Sequence, residues 1–228
     1  MRFQDLNWMD VERYLENDDR VLLVTGATEQ HAYLSLLTDI LIPTRIADAV
    51  GQRTQVLVAP PLNFGISHYF REFPGTISLS KETFDRVILE VFESLFQQGF
   101  RKFFFLNGHG GNSMPERLYY FERAGSVRVI WHNWWQSPVA AQYAAEHSLK
   151  INHANWGENF SFNRVAESPT GVKRPVSLDK MQDYTQARDV LGDGSFGGPY
   201  QMDDEIMMGL FEAVVADVVQ QINALKEN

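Results

Sequence analysis

"RKFFFLNGHGGN", residues 101–112, sets four consecutive large apolar residues, Phe103 to Leu106, directly ahead of a polar, glycine-rich turn. A strand that is apolar at every position has no solvent face, so it belongs in the middle of a parallel sheet covered on both sides. The surrounding chain repeats the pattern. "RVLLVTGA" (20–27), "VLVAPPL" (56–62) and "VRVIWHNWW" (127–135) read as further strands. After Ser80, a suitable N-cap, Phe84, Val87, Ile88, Val91, Phe92, Leu95 and Phe96 recur at helical spacing until Gly99. A similar stripe from Ile206 to Ile222 predicts a long closing helix after Asp203, and residues 11–17 predict a short one. Apolar runs alternating with helical segments imply an α/β fold, a parallel sheet covered by helices. Residues 166–202, rich in Gly, Pro, Ser and Asp, read as a long surface excursion with one short helix near 178–189.

With 228 residues, 44% of them apolar, and no linker-like stretch, the chain is expected to form one domain over 1–228. A net charge of −9 and the lack of any Lys/Arg stripe argue against nucleic acid and for small-molecule partners. No stretch has the length and apolarity to span a bilayer, and "MRFQDLNWMD" carries no apolar leader core, so a soluble, cytoplasmic protein without a membrane partner is expected. The chain contains no cysteine, so any metal must be held by histidine and carboxylate.

Ligands of open parallel sheets bind beyond the C-terminal strand ends. After "VLLVTGAT" come Glu29 and His31, two positions apart, which in an extended segment puts both side chains on one side. Pro43 suits the first position of a helix, so the next helix is expected near Ile42, with Asp39 just ahead of it and free to fold back. "NGHGGN" (107–112) surrounds His109 with glycines, and "HANWGENF" (153–160) supplies His153 and Glu158. A lone loop histidine is usually a hydrogen-bonded structural residue, and Glu29 alone would pass as a solvated carboxylate. The glycine-rich turn lacks the lysine and spacing of a phosphate loop. What favours metal is the coincidence at one sheet edge. Glu29, His31, Asp39, His109 and Glu158 suit Zn, Mn or Fe better than Ca or Mg. Five ligands exceed what one catalytic zinc takes, and a bridging carboxylate would let them hold two ions.

At these residues the sequence resembles the creatininase (creatinine amidohydrolase) family over most of 20–165. The resemblance rests on "EQH" followed by "TD", on "FPGTISL" (73–79), on the helix into "GF" at 99–100, on "NGHGGN", and on "HA" with Glu158 five positions after His153. It implies a three-layer α/β/α fold with a mainly parallel central sheet, a homo-oligomer, commonly a hexamer, and two divalent ions per chain. Those ions would be held by Glu29, His31, Asp39, His109 and Glu158, with Asp39 as the bridge. His153 matches the family's proton-transfer histidine, and with Glu158 is taken as catalytic. The implied reaction is hydrolysis of a C–N bond in a small cyclic amide, formamide or related substrate by metal-activated water. Gly110, Gly111, His68, Phe70, Trp134 and Trp156, with Trp135, are assigned to substrate binding, and backbone N–H groups of Gly108 to Gly111 to the oxyanion.

The chain departs from the family pattern in ways that point away from creatinine itself. The segment between "EQH" and "TD" is one residue short, has Ala32 for a glycine and lacks a second histidine. Gly111 replaces a glutamate, and Tyr69 and Phe70 replace an acidic residue and a histidine. A deformylase, a peptide-trimming hydrolase and a non-catalytic metal-binding scaffold stand as the alternatives.

Overall fold

The computed structural model describes residues 1–176 and 184–227. Four parallel strands, β1 (Arg20–Thr25), β2 (Leu57–Val58), β3 (Lys102–Asn107) and β4 (Arg128–Asn133), form the central sheet in the order β2-β1-β3-β4. Its helices are α1 (Trp8–Leu15), α2 (Thr38–Thr54), α3 (Lys81–Gln98), α4 (Glu116–Arg123), α5 (Pro138–Glu146), α6 (Ala187–Leu191) and α7 (Asp204–Glu227).

Side chains alternate along the two inner strands. Val21, Leu23, Phe103 and Phe105 enter one apolar cluster, which α1, α3 and α4 cover. Leu22, Val24, Phe104 and Leu106 enter the other, under α2, α5 and α7. Both faces are therefore closed, as the all-apolar β3 requires, and the layers are α/β/α. Among the described residues no helix is long and apolar enough to cross a membrane.

Local signals fix most boundaries. Asn7 and Asp10 form a reciprocal cap that starts α1 at Trp8 rather than at 11. Ser80 caps α3, and Gly99, with φ of 117°, ends it. β2 keeps only two residues of "VLVAPPL", because Pro60 and Pro61 offer no ladder donors. β4 stops at Asn133, and Trp134–Gln136 turns as a 3-10 helix. The sequence reading missed α4 and α5, whose buried faces are short: Leu118 alone in one, Ala140 and Ala144 in the other.

One difference matters for the site. α2 begins at Thr38, not near Ile42, so Asp39 lies inside its first turn and Pro43 inside the helix. Proline has no N–H to return to the carbonyl four residues back. That carbonyl, of Asp39, instead packs against the chain just beyond β1 and β3. A Cβ on Gly26 would lie 2.2 Å from the Asp39 oxygen, and one on Gly108 would lie 2.0 Å from it.

The excursion is also more than a surface loop. β5 (Val172–Lys173) pairs antiparallel with β6 (Gly198–Pro199). Ala187 and Leu191 of α6 pack on Phe70 and Phe73, with Phe196 beside them. The short helix expected near 178–189 overlaps α6 only at its end, and residues 177–183 lie outside the described ones.

Gly108→Ala should strain the seat of α2. A methyl group forced against backbone typically costs about 1–3 kcal/mol. Denaturant unfolding of Gly108→Ala is expected to show a loss of that order, whereas Gly171→Ala, which has open space, is expected to stay near wild type.

Candidate metal centre

The sheet's C-terminal edge is tied together before any candidate ligand is placed. Thr25 Oγ1 donates to Asn107 Oδ1 (3.0 Å), and Asn107 Nδ2 donates to Asn133 Oδ1 (2.9 Å) and to the His109 carbonyl (2.7 Å). Asn112 Nδ2 donates to the Gly26 carbonyl at 3.0 Å. Both asparagines of "NGHGGN" thus hold the turn that carries His109 against the chain leaving β1.

Five side chains converge there, each at most 7% exposed: Glu29, His31, Asp39, His109 and Glu158. Asp39 turns Oδ1 to His31 Nε2 (3.0 Å) and Oδ2 to His109 Nδ1 (2.9 Å). Glu29 Oε1 stands 3.4 Å from His109 Nδ1, and Glu158 Oε2 stands 3.8 Å from His31 Nε2. Two groups result, Glu29/Asp39/His109 and His31/Asp39/Glu158, each with potential ligand atoms within 4.8 Å of one another and with Asp39 common to both. A third group, Glu29/His31/His153, overlaps them.

The donor set fits divalent cations on an observation of its own. Glu29 Oε2, His31 Nε2 and Asp39 Oδ2 are buried and make no hydrogen bond, although they stand within one crowded cluster. Buried polar atoms are normally satisfied, so such a cluster needs an occupant. The outward nitrogens are meanwhile engaged. His109 Nε2–H donates to the Ile66 carbonyl (2.8 Å) and His31 Nδ1–H to the Glu29 carbonyl (3.2 Å). In the neutral ring, with the outward nitrogen carrying the hydrogen, the lone pair falls on the inward nitrogen, the arrangement that orients metal-binding histidines.

Electrostatics agree. Burial disfavours charge on His31, yet the Asp39, Glu158 and Glu29 carboxylates outweigh it and raise the imidazole to about 10. His109 is likewise raised against its burial by Glu29 and Asp39. Burial pushes the Glu158 carboxyl up to about 7, while the two imidazoles overcome burial and hold Asp39 low. Protons on the histidines thus balance the carboxylates where cations would, and loading metal must release them.

A cavity of about 470 Å³ opens over Glu29, Asp39, His109 and Glu158. Its walls are Tyr69, Phe70, Trp135, Phe196, Ile66 and Ile151, with Ser67, Gln136 and Asn152 as polar points and neither lysine nor arginine among the lining residues. Phe70, Gly110, Gly111 and His153 line it as expected. Trp134 and Trp156 do not: they are 1% and 0% exposed and packed in the core under α7, because the 3-10 turn sends Trp134 inward and only Trp135 to the cavity. His68 is off the wall as well, its place taken by Ser67 and Tyr69. Within the expected oxyanion turn, Gly108 N–H is spent on the Thr25 carbonyl and His109 N–H on Asn107, leaving Gly110 and Gly111.

Of the departures, Gly111 acquires a physical reason, whereas Ala32 stands in a backbone conformation that suits the glycine it replaces. A Cβ at 111 would lie 2.0 Å from the Ile66 carbonyl and 2.5 Å from His109 Nε2, so the bond orienting His109 fills the space a side chain would need. Ala32 has φ of 51°, a left-handed conformation that glycine adopts without strain. Sequence reasoning missed Gln30, Ser67 and Phe196. Gln30 stood in plain view inside "EQH", but Phe196 lies in the excursion, where no periodicity marks it.

A family model described as creatinine amidohydrolase matches residues 4–222. Creatinine amidohydrolase of Pseudomonas putida is 32% identical over 117 residues, 48% of this chain and 45% of that protein. A mycofactocin precursor peptide peptidase of Mycobacterium ulcerans is 39% identical over 102 residues, 40% of each. The alignments thus span less than half the length of these curated relatives. A solved structure described as creatinine amidohydrolase (creatininase) superposes with a TM-score of 0.79 at 22% identity over 100% of this chain and 98% of that one, which shows the fold. Others of the same fold are described as a Zn-Zn type and a Mn form.

If Asp39 is shared by two ions, Asp39→Ala should lose both. Elemental analysis finding two metals per chain in that variant would exclude the bridge. In the wild type, zinc or manganese at about a hundredfold excess over its dissociation constant should stabilise the fold by about 2.7 kcal/mol, read as a rise in melting temperature that chelator reverses.

Proposed function

The chain belongs to the creatininase family, and from that premise we propose that it is a metal-dependent amidohydrolase cleaving a C–N bond in a neutral, largely apolar substrate. The observation that carries the reading is Asp39, which offers one carboxylate oxygen to each of two histidines in a buried cluster with three unsatisfied ligand atoms. Glu29, Asp39 and His109 would hold one ion, and His31, Asp39 and Glu158 the other. Bound there, such ions supply Lewis acidity, acidifying a water and polarising the scissile carbonyl.

The chain's own residues do the rest. Tyr69, Phe70, Trp135 and Phe196 bind the apolar part of the substrate and exclude bulk water, which strengthens every polar interaction inside. Gly110 and Gly111 let a carbonyl approach main-chain N–H groups closely. His153, stacked on Phe70 at 4.6 Å between centroids, faces the same cavity with Nδ1 3.6 Å from Glu29 Oε1. A wall without a cation among the described residues disfavours substrates whose recognition depends on an anionic tail.

A second reading, a peptide-trimming hydrolase, draws support from the cavity's size and from the mycobacterial relative. A volume of about 470 Å³ equals the liquid share of roughly sixteen waters, more than a bare ring amide fills.

The test is a panel of cyclic amides, formamides, aryl amides and short neutral peptides, assayed with and without added Zn or Mn. Metal-dependent hydrolysis of a neutral amide supports the proposal. Fewer than one ion per chain, with no member of the panel cleaved, would favour the scaffold instead. His153→Ala is expected to keep its metals and lose turnover by about 10²–10⁴-fold; an unchanged kcat would remove His153 from the reaction.

A further inference from the structure

Between two candidate ligands, Gln30 is 5% exposed and spends its side chain on three partners. Its Oε1 accepts from the Ala32 N–H at 3.1 Å, and its Nε2 donates to the Gly194 carbonyl at 3.1 Å. Those two bonds fix which way the amide points, because flipping it would set N–H against N–H at Ala32 and oxygen against oxygen at Gly194. The same Nε2 lies 2.8 Å from His153 Nε2. An amide nitrogen can only donate, so His153 Nε2 must be the lone-pair nitrogen. In the neutral ring the hydrogen then sits on Nδ1, on the side of Glu29 and the cluster.

The rest of the ring's surroundings hold that orientation. Phe70 stacks on it at 15° between planes, Phe196 packs at 4.9 Å between centroids, and Phe196 N–H donates to the His153 carbonyl at 3.1 Å. Gly194 is where the excursion meets Gln30. Its φ is +99°, and a Cβ there would lie 1.8 Å from Gln30 Oε1, so any side chain at 194 expels the amide.

We propose that Gln30, seated by Gly194, is a positioning residue that locks His153 as an Nδ1–H donor, so that His153 serves the reaction by hydrogen-bonding developing negative charge rather than by taking a proton. With Nδ1 already carrying hydrogen, the imidazole has no lone pair facing the cavity, and proton acceptance falls to the carboxylates of the cluster. The proposal rests on the hydrolase reading for the word reaction, but its structural half does not.

Two measurements separate them. In the zinc-loaded full chain with ¹⁵N-labelled histidine, the His153 resonances, identified by their loss in His153→Asn, should show a protonated Nδ1 and an unprotonated Nε2. Gln30→Glu, whose carboxylate accepts from Nε2–H, should reverse that pattern with metal content held, at some cost in melting temperature because an oxygen then faces the Gly194 carbonyl. Finding hydrogen on Nε2 in the wild type overturns the proposal whether or not any substrate is cleaved. For kinetics on whichever amide is hydrolysed, Gln30→Glu is expected to lower kcat by about 10²-fold with KM little changed, the scale for one lost oxyanion donor. Gln30→Ala and Gly194→Ala should each lower kcat, and the double variant should be no worse than Gln30→Ala, since both act through one amide. His153→Asn keeps an N–H near the Nδ1 position and cannot be protonated; it should exceed His153→Ala in kcat by about tenfold or more, a partial recovery of the ~10²-fold that one such donor contributes. Equal loss in the two would mean proton transfer and would overturn the donor role. If the resonances are as expected and no amide is cleaved, the hydrolase reading fails while the lock stands.

Discussion

The first turn of α2 rests on bare backbone. Asp39's carbonyl, left without a helical partner by Pro43, approaches Gly26 and Gly108 so closely that no Cβ fits at either. Since those glycines follow neighbouring inner strands, the contact fixes a helix end against the two strands at the middle of the sheet. Asp39 is consequently held by the scaffold while Glu29, His31 and His109 come from loops leaving the same strands. Sites need side chains placed within about 0.5 Å, and loops alone rarely achieve that. Here the loops are referenced to a helix turn that cannot slide.

That placement is adverse to stability when considered by itself. Three carboxylates and two imidazoles, nearly removed from water, face desolvation that their mutual attraction offsets only in part. The surrounding bonds do not relieve the unsatisfied inner atoms; they orient them. Ile66's carbonyl takes the outer hydrogen of His109 and Glu29's carbonyl that of His31, so each ring, once it gives up its second proton, presents its lone pair inward. A fold selected for stability alone would fill this volume with apolar side chains. Keeping it polar and incompletely bonded is what a preorganised cation site requires.

Much of this was legible in the chain because the signals were local. The unbroken apolar Phe103 to Leu106 implies a strand buried on both faces, and Ser80 and Gly99 bound a helix by capping chemistry alone. The five candidate ligands stood out because histidines and carboxylates gathered at strand ends. What escaped depends on tertiary contact. Asp39 was expected ahead of its helix, since Pro43 looks like a first-turn residue unless glycines elsewhere can receive the displaced carbonyl. Trp134 and Trp135 are identical in type and adjacent, and only the 3-10 turn decides which enters the core. Phe196 reaches the cavity from far beyond His153 in the chain, with no pattern in the intervening residues to announce it.

The division of labour between centre and wall follows from the same topology. The candidate ligands come from segments that are pinned: the chain after β1, the first turn of α2, the asparagine-tied turn after β3, and the buried 3-10 turn at Glu158. The walls come largely from other stretches, residues 66–70, Trp135 and Gln136, Ile151 and Asn152, and the excursion with Phe196. Exchanging Phe196 or Tyr69 alters the cavity without touching Gly26, Gly108 or the asparagines, whereas Gly111 cannot gain a side chain without displacing the carbonyl that orients His109. A fold so arranged can keep one metal chemistry while its substrate changes. The departures of this chain divide along that line: Tyr69 and Phe70 shape the wall, and at Gly111 the Ile66 carbonyl that orients His109 takes the space a side chain would need.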